Sequence, residues 1–330
     1  MQINTKHGYL NGGSTNQSLI DMVKKRIIFA VAAVMIAILL ICGCTGTETE
    51  QPPAEKQQLR IATTTSLYDT GLLDHLKPMF EEEYNAEVLI ISAGTGKAIE
   101  YGQRGDVDVL MVHDRAREDA FIADGYGINR RVFAYNYFII VGPESDPAGI
   151  KGMEPEEAFT TIREKGMAGE SGVVFVSRGD ASGTHSKEQA IWKASGFNYS
   201  TEIQGSGDWY REAGTGMDAT LEMANELQGY TLSDIGTFLA YQRDLDLVTL
   251  VDEGDILLNV YSAMQINPEK YPEINSTPAK AWINFLISDE VQEEIASFGV
   301  AEYGQPLFYA AKDAWEKIGV TEAEVKDPVL

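Results

Sequence analysis

Three short segments carry residue types that could hold an anion. Thr63-Thr64-Thr65-Ser66, Ala93-Gly94-Thr95-Gly96-Lys97 and Arg178-Gly179-Asp180-Ala181-Ser182-Gly183-Thr184-His185 each follow a β-rich apolar run and precede a helical pattern. The start of a helix leaves backbone N–H groups without partners and carries a partial positive charge, so a junction rich in Gly, Ser and Thr is an array of donors. The third segment adds a guanidinium with five donors, and a buried guanidinium needs an anionic partner. A plain helix cap is the competing reading of the first segment, and a solvated surface arginine that of the third.

The second segment invites comparison with a nucleotide-binding loop and fails it. Six residues before Lys97 stands Ile91 where a glycine is needed, and Ala98 replaces the magnesium-binding hydroxyl. Its glycines, Gly96 among them, serve instead to let backbone approach a ligand. An ester hydrolase using Ser66 or Ser182 as nucleophile would need a base. The chain has no G-x-S-x-G turn, and of its four histidines only His185 is close in sequence to either serine. His113 and His185 lack the spacing of a shared metal site. The expected chemistry is binding, with no catalytic residue, no cofactor and no cation site.

The protonation state of the anion offers a discriminator. Phosphate at neutral pH keeps a proton that it can donate to a carboxylate, whereas tungstate, molybdate and sulfate only accept. A pocket of donors alone selects the second group. Asp69, Asp114 and Asp180 lie close to the three segments, and any one of them pointing inward unpaired would argue for phosphate. Asp180 and Asp114 are expected to turn toward Arg178, Arg115 or Arg117. Arg211 is open to the anion or to a salt bridge with Glu212 or Glu202.

The elements that must position these segments follow from the pattern of apolar residues. β-rich runs are read at 59–63, 87–92, 108–112, 137–141 and 173–176, with helices at 67–84, 97–104, 116–123, 155–165 and 184–194. Helices near 217–227 and 234–243, a strand near 257–266 and closing helices at 278–287 and 290–297 complete the body. The alternation predicts α/β layers with a mostly parallel sheet. NYFIIVGP at 136–143 and ILLNVYSAMQINP at 256–268 have the look of crossings between two lobes, so the expected division is lobe 1 at 59–139, lobe 2 at 140–257 and a return to lobe 1 at 258–330.

Upstream, Lys24, Lys25 and Arg26 precede an apolar run from Ile27 to Ile41 that ends in Ile41-Cys42-Gly43-Cys44. This is the pattern of an export signal over 1–43 with a lipobox, making Cys44 the lipid-bearing first residue of the mature chain. An uncleaved membrane anchor is the alternative. Residues 44–58, polar and Pro-containing, read as a flexible tether. The body has no cysteine, so no disulfide or thiolate site is available to it. The chain has 26 basic and 50 acidic residues, net −24. Such a balance excludes nucleic acid as a partner, and an anion must be drawn in by local dipoles against the mean field.

TTTS at 63–66, SAGTGKA at 92–98, SRGDASGTH at 177–185, WYREAGTGMDATL at 209–221, YTLSDIGTF at 230–238 and INPEKYP at 266–272 together resemble the extracellular tungstate-binding proteins of ABC transporters. The likeness runs over about residues 59–310. It implies a two-lobed periplasmic-binding-protein type II fold, each lobe a mostly parallel sheet flanked by helices, with two interlobe crossings. It implies a monomer that binds tungstate or a similar tetrahedral oxyanion and delivers it to an ABC permease and its ATPase, on the outer face of the membrane. Carried onto this chain, the first-lobe contacts are Thr64, Thr65, Ser66 and Thr95 with Gly96 beside it, and the second-lobe contacts are Arg178, Ser182, Gly183 and Thr184. The Arg followed by Ser-Gly-Thr also resembles phosphate-binding relatives, and a sensor subunit would share the same site.

Overall fold

In the computed structural model, β1 (Gln57–Thr64), β2 (Ala86–Ala93) and β3 (Val109–Val112) lie parallel, with β1 between the other two. The structure describes residues 22–24, which are helical, and 56–330, which lie in the compact unit Glu55–Leu330. The export signal, the apolar run 27–41 and Cys44 fall outside the described residues. Among the described residues no helix is long and apolar enough to cross a membrane. The folded body, expected to begin at residue 59, begins by Gln57, because Gln57 and Gln58 already pair with Ala86 and Glu87.

One strand joins the two halves of this unit. β4 (Gly127–Pro143) runs for 17 residues and changes partner along its length. Residues Gly127 to Tyr137 pair antiparallel with β9 (Leu258–Ile266), while Phe138 to Pro143 pair antiparallel with β7 (Tyr230–Asp234) and β8 (Leu247–Val251). β5 (Phe175–Ser177) is parallel to β6 (Tyr210–Glu212) and to β7. The resulting order is β2-β1-β3-β9-β4-β7-β5-β6, with β8 and the short β10 (Tyr309–Ala310) attached to β4. This is the expected α/β fold, with antiparallel pairing confined to the long joining strands and their neighbours.

Helices cover both halves: α1 (Thr65–Asp69), α2 (Leu72–Tyr84), α3 (Thr95–Arg104) and α4 (Arg115–Ala123), then α5 (Pro155–Met167), α6 (Gly183–Ala194), α7 (Met217–Leu227) and α8 (Ile235–Tyr241), and finally α9 (Ser276–Leu286), α10 (Asp289–Ser297), α11 (Val300–Tyr303) and α12 (Glu322–Lys326). The hydrophobic residues sort into separate clusters. Leu72, Leu76 and Phe80 of α2 pack on Leu59 and Ile61 of β1 and on Trp282 of α9, whereas Phe159, Phe175, Ile191 and Trp192 form the centre of the other half. Burying each such side chain is worth about 1.5–3 kcal/mol, so each half has its own support.

Two departures from the sequence pattern have local causes. The single helix expected over 67–84 is broken at Thr70-Gly71: Thr70 Oγ1 donates to the Leu67 carbonyl at 2.7 Å, and Gly71 takes φ of 80°, a conformation glycine adopts without strain. The first half of β4 escaped notice because Asn129, Arg130 and Arg131 interrupt its apolar alternation. The register shifts there, and Asn129 sits at φ of 57°, as a bulge requires.

Candidate functional site

The three predicted segments meet where the halves face each other. Each begins at the carboxyl end of a parallel strand, since β1 leads into α1, β2 into α3 and β5 into α6. Thr64 caps α1 by accepting from Leu67 N at 3.3 Å. Ser182 caps α6 by accepting from His185 N at 3.1 Å. Thr95 Oγ1 accepts from Gly183 N at 2.8 Å, a direct bond between the two halves. A second bond runs from Arg117 Nη1 to the Ala181 carbonyl at 2.8 Å. Thr64, Ser66, Thr95, Arg178, Ser182, Gly183 and Thr184 are buried, Thr65 is half-buried and Gly96 is exposed.

The loop 178–182 is held in an unusual shape. Gly179 has φ of 62°, and a Cβ there would lie 2.8 Å from Glu212 Cβ, so only glycine fits. Ala181 sits at φ of 57° and donates its N–H to His185 Nδ1 at 3.0 Å. Below the loop, Gly179 N donates to Ser177 Oγ at 3.1 Å, and Ser177 Oγ donates to Glu188 Oε2 at 2.5 Å. Trp192 Nε1 and Tyr210 Oη donate to the other Glu188 oxygen. Burial pushes the Glu188 carboxyl up to about 7, against the pull of these three donors.

Arg178, only 3 % exposed, donates from Nη2 to Asp180 Oδ2 at 2.7 Å. Asp180 Oδ1 accepts from Ser182 N at 3.1 Å. Asp114 accepts from Arg117 N at 3.3 Å and lies 3.2 Å from Arg117 Nε. Asp180 is thus turned to its neighbours, whereas Asp114 is ion-paired with Arg117 but keeps Oδ2 buried without a hydrogen-bond partner. Asp69 is exposed, and partial burial followed by the charges of Asp218 and Asp234 raises its pKa. Arg211 pairs with Asp208 at 3.0 Å and is exposed, so it does not enter the site. Arg178 Nε, Thr184 Oγ1 and Thr63 Oγ1 are buried without a protein partner, which is the condition of donors meant for a ligand.

His113 is the residue that sequence reasoning missed as a neighbour of Ser66. It stands at the end of β3, 8 % exposed, with Nε2 3.2 Å from Ser66 Oγ and Nδ1 2.9 Å from Asn259 Oδ1. Its ring stacks on Tyr261 at 4.9 Å. It also explains Gly183, where a Cβ would come within 2.9 Å of the His113 ring. The signal was out of reach in the sequence, since Ser66, His113 and Asn259 belong to three distant strand ends. His185 is a first-turn residue of α6 bound to the Ala181 N–H and to Tyr199 Oη at 2.8 Å. Among the described residues no cluster of His, Cys, Asp and Glu could hold a metal ion.

The sequence matches the family model of the PBP superfamily domain over residues 48–290. It is 39 % identical over 288 residues to the tungstate-binding protein TupA of Peptoclostridium acidaminophilum, covering 86 % of this chain and 98 % of that protein. Among solved structures, a tungstate ABC transporter protein from Geobacter sulfurreducens is 43 % identical with a TM-score of 0.65, covering 73 % of this chain and 98 % of the other. The tungstate-binding protein TupA from Desulfovibrio alaskensis is 39 % identical with a TM-score of 0.66, covering 77 % and 98 % respectively.

Proposed function

The chain belongs to the PBP superfamily and, within it, to the tungstate-binding proteins, and on that premise we propose that it captures tungstate between its two halves for an ABC permease and its ATPase. The observation that carries this reading is the buried Arg178 guanidinium with Nε unpartnered, together with the unpartnered Thr184 Oγ1 of the same segment. Buried donors of this kind match the oxygens of a fully ionised oxyanion; Asp180 already accepts from Arg178 and Ser182 N, and Asp114 is ion-paired with Arg117.

In this reading Thr64, Thr65, Ser66 and Thr95 contact the oxyanion from one half, and Arg178, Ser182, Gly183 and Thr184 from the other. Their donors touch the oxygens and leave the metal atom alone. Ligand that bridges both halves shifts an open population toward closed, which is the form a permease would recognise. Gly96, being exposed, has a weaker claim than its neighbour Thr95. In the same reading the protein works outside the cytoplasm as a monomer, tethered by lipid on Cys44. Metabolic labelling with a fatty acid tests the anchor, since label should disappear in Cys44→Ala.

Isothermal titration of the purified protein with tungstate, molybdate, sulfate and phosphate tests the ligand. Tight one-to-one binding of tungstate with phosphate silent is the expected result, and binding of phosphate alone would overturn it. The Ser66, His113 and Asn259 contacts also have the order of a nucleophile, a base and its orienting partner. That favours testing an ester hydrolase as the second reading. We infer no turnover; release of p-nitrophenol from an acetate or phosphate ester, lost in Ser66→Ala, would establish the rival.

A further inference from the structure

A chain of hydrogen bonds fixes which nitrogen of His113 carries the proton. The Leu307 carbonyl can only accept, so Asn136 must present Nδ2 to it, at 3.2 Å. Asn136 Oδ1 therefore accepts from Asn259 Nδ2 at 2.9 Å, and the same Nδ2 lies 2.7 Å from Tyr261 Oη. This leaves Asn259 Oδ1 facing His113 Nδ1 at 2.9 Å, so Nδ1 is the N–H of the neutral ring. Nε2 is then bare, and the hydroxyl of Ser66, 3.2 Å from Nε2 and 3.4 Å from Thr64 Oγ1, donates to the nearer of these two acceptors.

That arrangement conflicts with binding a fully ionised oxyanion. The Ser66 hydroxyl has one hydrogen, committed to His113, and it offers the ligand lone pairs only. Rotating the hydroxyl toward the anion would set two bare acceptors against each other in a buried place. Moving the ring proton from Nδ1 to Nε2 would leave Nδ1 bare against Asn259 Oδ1, which cannot turn because of its bonds to Asn136 and Tyr261.

We propose that His113 makes oxyanion capture proton-linked: when the anion takes the Ser66 hydroxyl, one proton from solvent settles on His113 Nε2. The imidazolium donates through Nε2 to Ser66 Oγ, and Ser66 donates its own hydrogen to the anion. No covalent bond changes apart from that N–H. The proposal rests on the oxyanion reading above and adds to it a residue whose protonation decides whether Ser66 can donate to a fully ionised ligand.

Charge points the same way. Arg178 is matched by Asp180, and Arg117 by Asp114. Lys187, on the wall of the 390 Å³ cavity that His113 and Gly183 also line, donates to the carbonyls of Ile256 and Leu258. The groups that act on His113 are Asp234 at the end of β7, its neighbour Asp114, and Arg178 on the loop after β5. Burial and Arg178 keep the ring neutral without ligand, while Asp234 and Asp114 favour the charged form. A dianion against Ser66 adds to the second set.

Calorimetric titration of the protein with tungstate, in buffers of different ionisation heat at about pH 7.5, counts the protons taken up. We expect close to one for the wild type, with the dissociation constant rising up to tenfold per pH unit above neutrality. Lys187, Glu118 and Glu188 also titrate near this range, so the deciding quantity is the difference from His113→Gln. Its amide N–H serves Ser66 permanently, and uptake through this site should vanish. Ser66→Ala, which removes the hydroxyl that needs the proton, should flatten the same slope should His113→Gln fail to fold. Tungstate binding with no buffer dependence, or a slope unchanged in the foldable variant, overturns the proposal alone. Silence toward every oxyanion overturns the site reading and the proposal with it.

Discussion

The two faces of the cleft are built on different rules. On one side, hydroxyls stand at the ends of β1 and β2, and three are already engaged: Thr64 with a helix cap, Thr95 with Gly183 N, and Ser66 with His113, while Thr63 Oγ1 has no partner. On the other, a single loop brings a buried guanidinium and an unpartnered hydroxyl, and it is held up by Glu188 and His185 from beneath. The first face supplies neutral groups whose hydrogens can be redirected, and the second supplies fixed charge. A site assembled this way needs both faces together, because neither has enough free donors to hold a tetrahedral anion.

The comparison can be broken most severely at Arg178. Arg178→Ala removes the fixed charge of one face, and since hydrogen bonds to a charged group are worth about 1.5–3 kcal/mol each, tungstate affinity should fall roughly 100-fold or more with the melting temperature little changed. Unchanged affinity in the titration would mean that the second face is misassigned. Gly183→Ala tests the contact between the faces. Its methyl would meet the His113 ring, and one of the two must move, so affinity should drop by about tenfold to 100-fold while each half keeps its own core. Small-angle scattering with ligand should then show a less compact particle than the wild type gives.

The support beneath the loop has a pH signature. Glu188 beneath the loop, and Glu118 on α4, where it accepts from Ser262 Oγ, both titrate at about 7 in the folded chain, above the ordinary 4.5, with burial as the main cause. Each raised value means that the folded state holds a proton the unfolded chain has lost. Their contribution is therefore full below about pH 4.5 and is lost as pH rises through 7. Denaturant melts should show stability falling by about 1–3 kcal/mol between pH 5 and pH 8 for each group, and Glu188→Gln should reduce that slope. The smallest effect is expected from Arg117→Ala, whose half-exposed side chain makes the second bond between the faces. Losing it should cost about 1 kcal/mol, a few-fold in the dissociation constant, and a larger loss would show that closure depends on this latch.

Much of this protein is legible residue by residue. The helices that follow β2 and β5 begin where Gly, Ser and Thr announce them, and α7 spans Met217–Leu227 as its apolar spacing requires. The positions of Thr95, Arg178, Ser182 and Thr184 follow from the same junctions. Three short strands left too little pattern to find. β6 has three residues, β7 ends in Ser233-Asp234, and β8 holds five residues whose role is set by pairing with β4. The break at Gly71 was hidden because a glycine inside an apolar repeat reads equally as a tolerated helix residue.

What the amino-acid order determined by itself is local: which strands lead into which helices, and which donors stand at those junctions. Capping, turn conformation and apolar spacing depend on groups within a few residues of each other, so they can be read along the chain. Only the tertiary structure decided that residues 66, 113, 136, 259 and 307 form one line of hydrogen bonds, or that Gly183 is small because His113 lies against it. Those relations join strands that are neighbours in the sheet and far apart in sequence. The direction of a hydrogen bond there is set by the last acceptor in the line, a backbone carbonyl on a different segment of the chain.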